Sequence, residues 1–338
     1  MIPAKWHLCS DSSQLQAQID TFLAAWNQDK PFVFHSSGST GIPKTHTFSK
    51  AQLCVSAQAS IAALQLNSAT KALVCLPLIS VGGLMQLTRA LLADFELWIT
   101  EPSSRPLENF ELPLNFISMV PTQLQQSIAL DLPKLKSIEQ ILIGGAPLSQ
   151  PLIEQCAENQ IELIQSYGMT ETLSHVALRT VSDGKSGPFE ALDGVQFSTK
   201  EDQLVIEYPA LLNEPLCTTD LVELIDAQHF NWLGRADFAI NTGGKKILPE
   251  QLEKKLSSSL TQAYFVCSLP DDKWGEIVAL VVEGAAFDAS DILKNQNLLP
   301  EELPRKIAFV TTFVRTETLK INRGQTLSSI RHADWRSL

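Results

Sequence analysis

Between residues 72 and 166 the chain alternates two textures, and this alternation limits its fold more than any other feature. Short apolar runs at 72–76, 96–99, 116–120, 140–143 and 161–166 have the length of strands. Between them, 84–92, 121–129 and 150–158 carry apolar residues at helical spacing. Strands apolar on both faces and joined through helices form a parallel sheet covered on both sides. Ligands of such sheets sit beyond the carboxyl ends of the strands. Upstream, 12–26 and 49–66 read as helices, the first with Asp11, Ser12 or Ser13 as a cap.

From about residue 187 the texture turns β-rich, with strands expected at 194–199, 203–208, 221–225 and 230–233 in an antiparallel or barrel-like subdomain. After Arg235 and Asp237 comes a small unit that could fold alone. It reads as a helix at 249–258, strands at 264–268 and 277–282, a helix at 289–294 and a strand at 307–313.

The stretch 34–47, FHSSGSTGIPKTHT, carries the strongest chemical signal. An apolar strand opens into hydroxyls and glycines and ends in Pro43 and Lys44. Successive backbone N–H groups in such a turn face one concavity, where Gly38 and Gly41 let the chain approach a phosphate closely. Ser36, Ser37, Ser39 and Thr40 add donors, and Lys44 adds a cation. The text nearly fits G-x-x-x-x-G-K-[ST], but Pro43 takes the place of the second glycine and has no N–H to offer. An ordinary P-loop nucleotidase is therefore disfavoured, and a glycine-serine turn without a ligand is the plain alternative.

At 338 residues the chain can hold a large core and more than one domain. A net charge of −11 argues against non-specific attraction to nucleic acid or anionic membranes, so a phosphate-bearing ligand must be held by a local site. Six cysteines form no C-x-x-C pair and read as small core residues of a reduced, cytoplasmic protein. The amino terminus lacks the pattern of a signal peptide, and the longest uncharged stretch, 72–88, is broken by Pro77, Gly82 and Gly83, so no membrane insertion is expected. The six histidines show no metal-binding spacing.

Four further segments fall at places where a site would need them. Residues 143–148, IGGAPL, end a strand in a glycine turn that leaves room for a flat ligand. Residues 165–172, QSYGMTET, bring an aromatic face, hydroxyls and one carboxylate to another strand end. TTD at 218–220 and GRAD at 234–237 follow, and 314–323 contains Lys320. Singly, each has a plain explanation: Tyr167 as core, Asp220 as a turn residue, Arg235 and Lys320 as solvated cations. Their order and spacing weigh against chance.

With these segments the chain resembles the adenylate-forming superfamily of acyl- and aryl-CoA ligases, luciferases and peptide-synthetase adenylation domains. Within it, LPLISVGGLMQLTRAL, ISMVPTQLQQ, ILIGGAPL and QSYGMTETLSHVALR most resemble a short form of the o-succinylbenzoate:CoA ligases of menaquinone biosynthesis. The resemblance implies an α/β fold: a large domain with a parallel αβα sheet plus a β-rich subdomain, then a small mobile α+β C-terminal domain. Residues 1–236 would be the ATP- and acyl-binding domain and 237–338 the mobile domain with the catalytic lysine. The resemblance implies that the superfamily's usual amino-terminal subdomain is missing, which would leave an apolar surface for a second copy to cover, as a homodimer.

The resemblance further implies that Ser37, Ser39, Thr40, Gly41 and Lys44 hold the β- and γ-phosphates of ATP. Gly145, Ala146, Pro147, Gln165 and Tyr167 would frame adenine, Gly168 and Thr170 would also bind ATP, and Asp220 and Arg235 would hold the ribose hydroxyls. Glu171 and Thr40 would bind Mg2+, a hard cation suited to oxygen ligands. Gly144, Ser166 and Arg89 would meet the acid, Arg89 through its second carboxylate. Lys320 would reach the α-phosphate, Asp237 would be the hinge, and Gly243 and Gly244 would line the path of CoA, the co-substrate.

The chain departs from the pattern at three places. Val314 and Leu319 stand where a proline and a glycine usually precede the lysine, and Ser80 stands where many relatives carry a histidine. For Arg89 the plain alternatives are a solvent-facing side chain or a pair with Asp94 or Glu96. Two other functions stay open: adenylation with transfer to a carrier-protein phosphopantetheine, and a non-catalytic nucleotide- or acyl-binding relative. A comparison of CoA with a carrier protein as acceptor separates the first, and ATP binding without turnover would mark the second.

Overall fold

The structure, a computed structural model, describes residues 2–36, 44–257, 259–260, 262–289, 298–315 and 321–338. Ser37, Ser39, Thr40, Gly41 and Lys320, and all but the first residue of the helix expected at 289–294, lie outside them.

One sheet of 13 strands runs through the larger part of the chain. Trp6–Leu8, Glu96–Ile99, Lys71–Val74, Phe116–Met119, Gln140–Ile143 and Leu163–Met169 lie side by side and parallel. The alternation of apolar runs and helical segments foretold this half. Its crossover helices, Val81–Ala93, Pro121–Leu130 and Gln150–Glu158, put their buried residues onto two cores, one on each face of the sheet.

The β-rich part is not a separate body. Ser174–Ser182 pairs antiparallel with Leu163–Met169, and Phe189–Ala191, His229–Arg235, Leu216–Leu224, Gln203–Glu207 and Gln196–Lys200 extend the same sheet in antiparallel order. The reversal happens at residues 167–174. A register shift lies between Tyr167 and Gly168, and Leu173 and Ser174 take positive φ of 50° and 113°. A Cβ on Gly168 would lie 2.1 Å from the Ser174 carbonyl oxygen, so only glycine lets the strands approach there.

The strand expected ahead of the glycine-rich stretch is present, the loop itself lies at 37–43 outside the described residues, and a returning strand follows. Phe32–Ser36 and Lys44–Phe48 form an antiparallel hairpin with Ser36 opposite Lys44, anchored by the buried Phe32, Phe34 and Phe48. Ser49 then caps the helix Lys50–Ala63 in a reciprocal box with Gln52.

The carboxyl-terminal residues build a second sheet of six strands with apolar clusters of their own, centred on Leu280 and Val282 on one face and Phe265 and Val281 on the other. The turn from Ile240–Thr242 to Lys245–Ile247 is Gly243-Gly244, both at positive φ, as a two-residue hairpin requires. A Cβ on Gly243 would lie 2.7 Å from the Trp274 ring.

Of the cysteines, Cys75, Cys156 and Cys267 are the small core residues expected, whereas Cys9 and Cys217 are exposed. Among the described residues no helix is long and apolar enough to cross a membrane.

Candidate functional site

The carboxyl ends of two neighbouring parallel strands bring Gly144, Gly145, Gln165, Ser166 and Tyr167 side by side. Gln140–Ile143 ends in Gly144 and Gly145, and Gly145 has φ of 83°, which a side chain would strain. Ser166 on the next strand donates to the Ile143 carbonyl, and a Cβ on Gly144 would stand 2.6 Å from its Oγ. Gly144 and Ser166 are thus in contact, with half-buried Ala146 and exposed Pro147 following.

Gln165 and Tyr167 point to the same face of their strand, two residues apart. Gln165 is buried, and its Oε1 accepts two hydrogen bonds from Arg179, at 2.9 and 2.7 Å. Tyr167 packs on Phe189 and Phe230 and donates to Asp220 Oδ2 at 2.6 Å. Burial and the Asp220 charge hold the Tyr167 phenol well above its usual range, so it stays a donor. Trp232 Nε1 donates to the other Asp220 oxygen at 3.0 Å. Asp220 is therefore a buried carboxylate fixed from both sides, not a turn residue.

Arg235 lies opposite Asp220 in the sheet, and its Nη2 donates to Thr219 and Asp237. Burial works against its charge, but the bond to Asp237 leaves its pKa raised, so it stays a cation. Burial alone would raise Asp237; the hydrogen bond from Arg235 holds it below the usual carboxylate range. Asp237 sits in the short turn Ala236–Phe238 that leads into the second sheet.

Thr170 and Glu171 form a 3-10 turn at the end of the Tyr167 strand. The His46 ring of the hairpin lies 3.5 Å from Glu171, which brings the hydroxyl-rich hairpin and this carboxylate together. Lys44 starts the returning strand and is exposed.

Arg89 overturns its plain alternatives. Asp94 pairs with Lys5 and Glu96 with His7, while Arg89 is 2% exposed in the interior. Its Nη2 donates to Ser174 Oγ at 2.9 Å and its Nη1 to Gln86 Oε1 at 3.3 Å. Burial pushes its pKa down to about 10, so it keeps its charge at neutral pH against the cost of desolvation. His175 is buried beside it, and burial together with the Arg89 charge holds the imidazole neutral.

Ser174 Oγ accepts a hydrogen bond from Arg89 and lies 3.4 Å from His175 Nδ1, a contact in which either atom can donate according to the imidazole tautomer. Arg89 Nε, Gln86 Nε2 and His175 Nε2 are all buried and without a hydrogen-bond partner among the described residues. Unpartnered donors on Arg89 and Gln86, with the His175 ring beside them, are the makings of an anion site. Of these residues only Arg89 stands out in the sequence. The Ser-His pair just past QSYGMTET is the signal that could have drawn attention to the rest.

The expected histidine of the 77–83 turn is replaced by Ser80, which accepts from Gly83 N and caps the Arg89 helix.

A family model described as AMP-binding enzyme matches residues 7–194, more than half of the chain. The chain belongs to the AMP-binding enzyme family. It is 35% identical to an acyl-CoA synthetase (AMP-forming)/AMP-acid ligase II-like protein from Dyadobacter fermentans, with 94% of each chain covered and a TM-score of 0.62. The 2-succinylbenzoate–CoA ligase of Listeria monocytogenes is 26% identical over 90% of this chain and 71% of its own length. The o-succinylbenzoate CoA synthetase of Bacillus subtilis, solved with its acyl-adenylate intermediate, is 25% identical over 88% of this chain and 69% of its own, with a TM-score of 0.74. The chain is thus an adenylate-forming acid:CoA ligase on an α/β fold.

Proposed function

We propose that this AMP-binding enzyme uses ATP to activate o-succinylbenzoate and transfers the acyl group to CoA. The observation that carries the substrate is the buried Arg89, whose Nε, with Gln86 Nε2 and His175 Nε2, lacks a partner among the described residues. A buried guanidinium without an anion is costly. An aryl acid with a second carboxylate supplies the anion, while its reacting carboxylate lies by Gly144 and Ser166.

The roles of the remaining residues follow from their chemistry. Ser37, Ser39, Thr40, Gly41 and Lys44 hold the β- and γ-phosphates. Gly145, Ala146, Pro147, Gln165 and Tyr167 enclose adenine, and Gly168 and Thr170 also bind ATP. The ribose hydroxyls donate to Asp220, which Tyr167 and Trp232 hold in place without using all its lone pairs, and accept from Arg235.

Mg2+ suits this site. Among the described residues no cluster of three His, Cys, Asp or Glu exists, and Mg2+ is held by one or two carboxylates with the substrate's phosphates, here Glu171 with Thr40. When bound it neutralises charge on the polyphosphate.

A carboxylate is a weak electrophile and is repelled by polyphosphate. The acid's oxygen attacks the α-phosphorus, the bond to pyrophosphate breaks, and Lys320 offsets the charge that develops. The thiol of CoA then attacks the acyl carbon and AMP leaves. The two steps need different surroundings, which a hinge at Asp237 allows: residues 237–338 present Lys320 in the first step and the Gly243-Gly244 turn beside CoA in the second.

Incubation with ATP, Mg2+, o-succinylbenzoate and either CoA or a phosphopantetheinylated carrier protein, followed by mass spectrometry of the thioester, tests this reading. A CoA thioester is expected. A thioester on the carrier alone refutes CoA as acceptor, and a thioester from a different acid alone refutes the substrate.

A further inference from the structure

Arg179 is a second, half-buried cation on the large sheet, one for which the reaction has as yet no use. It stands on Ser174–Ser182 directly opposite Gln165, and its guanidinium carbon lies 4.3 Å from the centre of the Phe189 ring on the strand beyond. Among the described residues burial is what lowers its pKa, to about 10, without removing its charge at neutral pH, and no carboxylate offsets it. Its Nε and Nη2 both go to one acceptor, Gln165 Oε1, at 2.9 and 2.7 Å.

This fork decides which way the Gln165 amide faces. An amide turned the other way would set its NH2 group against a guanidinium, donor against donor, so Oε1 must face Arg179. Both lone pairs of Oε1 are then engaged, and the two hydrogens on Nε2 are directed away from Arg179. Nε2 has no hydrogen bond among the described residues. On its other side Gln165 is the register neighbour of Ile143, the last residue before the Gly144-Gly145 turn. Phe189 carries both halves of this wall, with Arg179 on one part of the ring and Tyr167 packed 5.6 Å away.

We propose that Arg179 is a positioning residue for nucleotide recognition: it locks the Gln165 amide so that Nε2 is presented as a donor to a ring nitrogen of the purine. This rests on Gln165 belonging to the adenine-facing wall. A glutamine left free would present its oxygen as readily as its nitrogen to the base and would meet the lone pairs of a ring nitrogen with its own half of the time. Arg179 removes that ambiguity before the nucleotide arrives, and Phe189 lets it do so as a cation over a π face in place of an ion pair. A carboxylate partner for Arg179 would have been simpler to bury, but it would have had no donor to show to the base.

Four variants test the inference through the dissociation constant for ATP and the KM for ATP and for the acid. Gln165→Glu keeps an acceptor for the fork, and so leaves Arg179 anchored and the melting temperature at or above that of the parent, but it has no NH2. ATP binding is expected to weaken about tenfold, the worth of one hydrogen bond near the upper end of the neutral range. Gln165→Met is expected to lose a similar factor. Arg179→Lys keeps the cation over Phe189 but cannot form the fork, and Arg179→Met removes both. Each is expected to raise the KM for ATP about three- to tenfold with the KM for the acid unchanged, a split that general loosening of the fold would not produce.

If both Gln165 variants bind ATP like the parent, Gln165 does not face the base and the nucleotide reading of this wall falls. If they bind weakly while folded Arg179→Lys binds ATP like the parent, the wall stands and the positioning role of Arg179 is refuted. An equal rise in both KM values for Arg179→Lys also refutes it.

Discussion

Replacing Arg89 with alanine should split the enzyme's activity by substrate. In the parent the guanidinium is 2% exposed and meets only neutral partners, Ser174 and Gln86. On the proposed reading, the second carboxylate of the acid would gain a buried charge-assisted pair with Arg89 and a bond from the unpartnered Gln86 amide. Removing one partner of a buried pair costs about 3–5 kcal/mol, because the other charge is left uncompensated. At about 1.4 kcal/mol per tenfold, kcat/KM for o-succinylbenzoate should fall by roughly two to three and a half orders of magnitude.

Benzoate lacks the second carboxylate and cannot gain this pair. For benzoate the same variant should lose little or even gain, since the parent must bury the cation unpaired. The variant's stability sets relief of Arg89 desolvation against the cavity left by its side chain, so only the split between the two acids reads the carboxylate. The assay is pyrophosphate release at saturating ATP, with each acid titrated in turn. An equal fall for both acids, or none for o-succinylbenzoate, would refute the idea that Arg89 reads a second carboxylate.

Three further outcomes follow from the same contacts. Gly168→Ala places a Cβ 2.1 Å from the Ser174 carbonyl oxygen and 2.4 Å from the His175 Cα, so chemical denaturation should show a loss of at least about 1–3 kcal/mol. Tyr167→Phe removes the 2.6 Å bond to buried Asp220 and should cost about 1–3 kcal/mol of stability and raise the KM for ATP, with Trp232 alone left to hold the carboxylate. Glu253, which accepts from Arg323 and from Val266 N, has its pKa raised by burial more than the Arg323 charge lowers it. A carboxyl that holds its proton more tightly when folded stabilises below its unfolded pKa and loses that contribution as pH rises through the folded value. Unfolding free energy should therefore fall as pH rises from the ordinary carboxylate range towards neutrality, and Glu253→Gln should flatten the slope.

Much of the fold was legible because local patterning determined it. Leu97, Ile117, Ile141 and Ile143 are apolar on both faces of the parallel strands, and the helical segments between them carry the spacing of surface helices. The continuity of the sheet was not legible: whether Ser174–Ser182 joins the parallel half depends on the bulge at Gly168 and on positive φ at Leu173 and Ser174, features of pairing that no periodicity reports. The hairpin of Phe32–Ser36 with Lys44–Phe48 was hidden for a similar reason, since the returning strand is mostly polar and exposed.

In the site, the segments at strand ends announced themselves by glycines and hydroxyls. The partners that give them their chemistry did not. Trp232 for Asp220, Arg179 for Gln165, and Ser174 with His175 for Arg89 are contacts across strands or from helix to sheet, and each of these residues taken singly reads as ordinary core or surface. Arg89 itself was visible, but its meaning depended on which acid it met, and the structure gives Asp94 and Glu96 to other partners.

The central claim, that this chain joins an acid to AMP before any thiol is involved, is tested most directly by exchange of labelled pyrophosphate into ATP with CoA left out. With o-succinylbenzoate and Mg2+ present, the label should enter ATP at a rate that saturates with the acid, and the rate should drop by orders of magnitude in Lys320→Ala. No exchange with any carboxylic acid, from protein that binds ATP, would contradict the account.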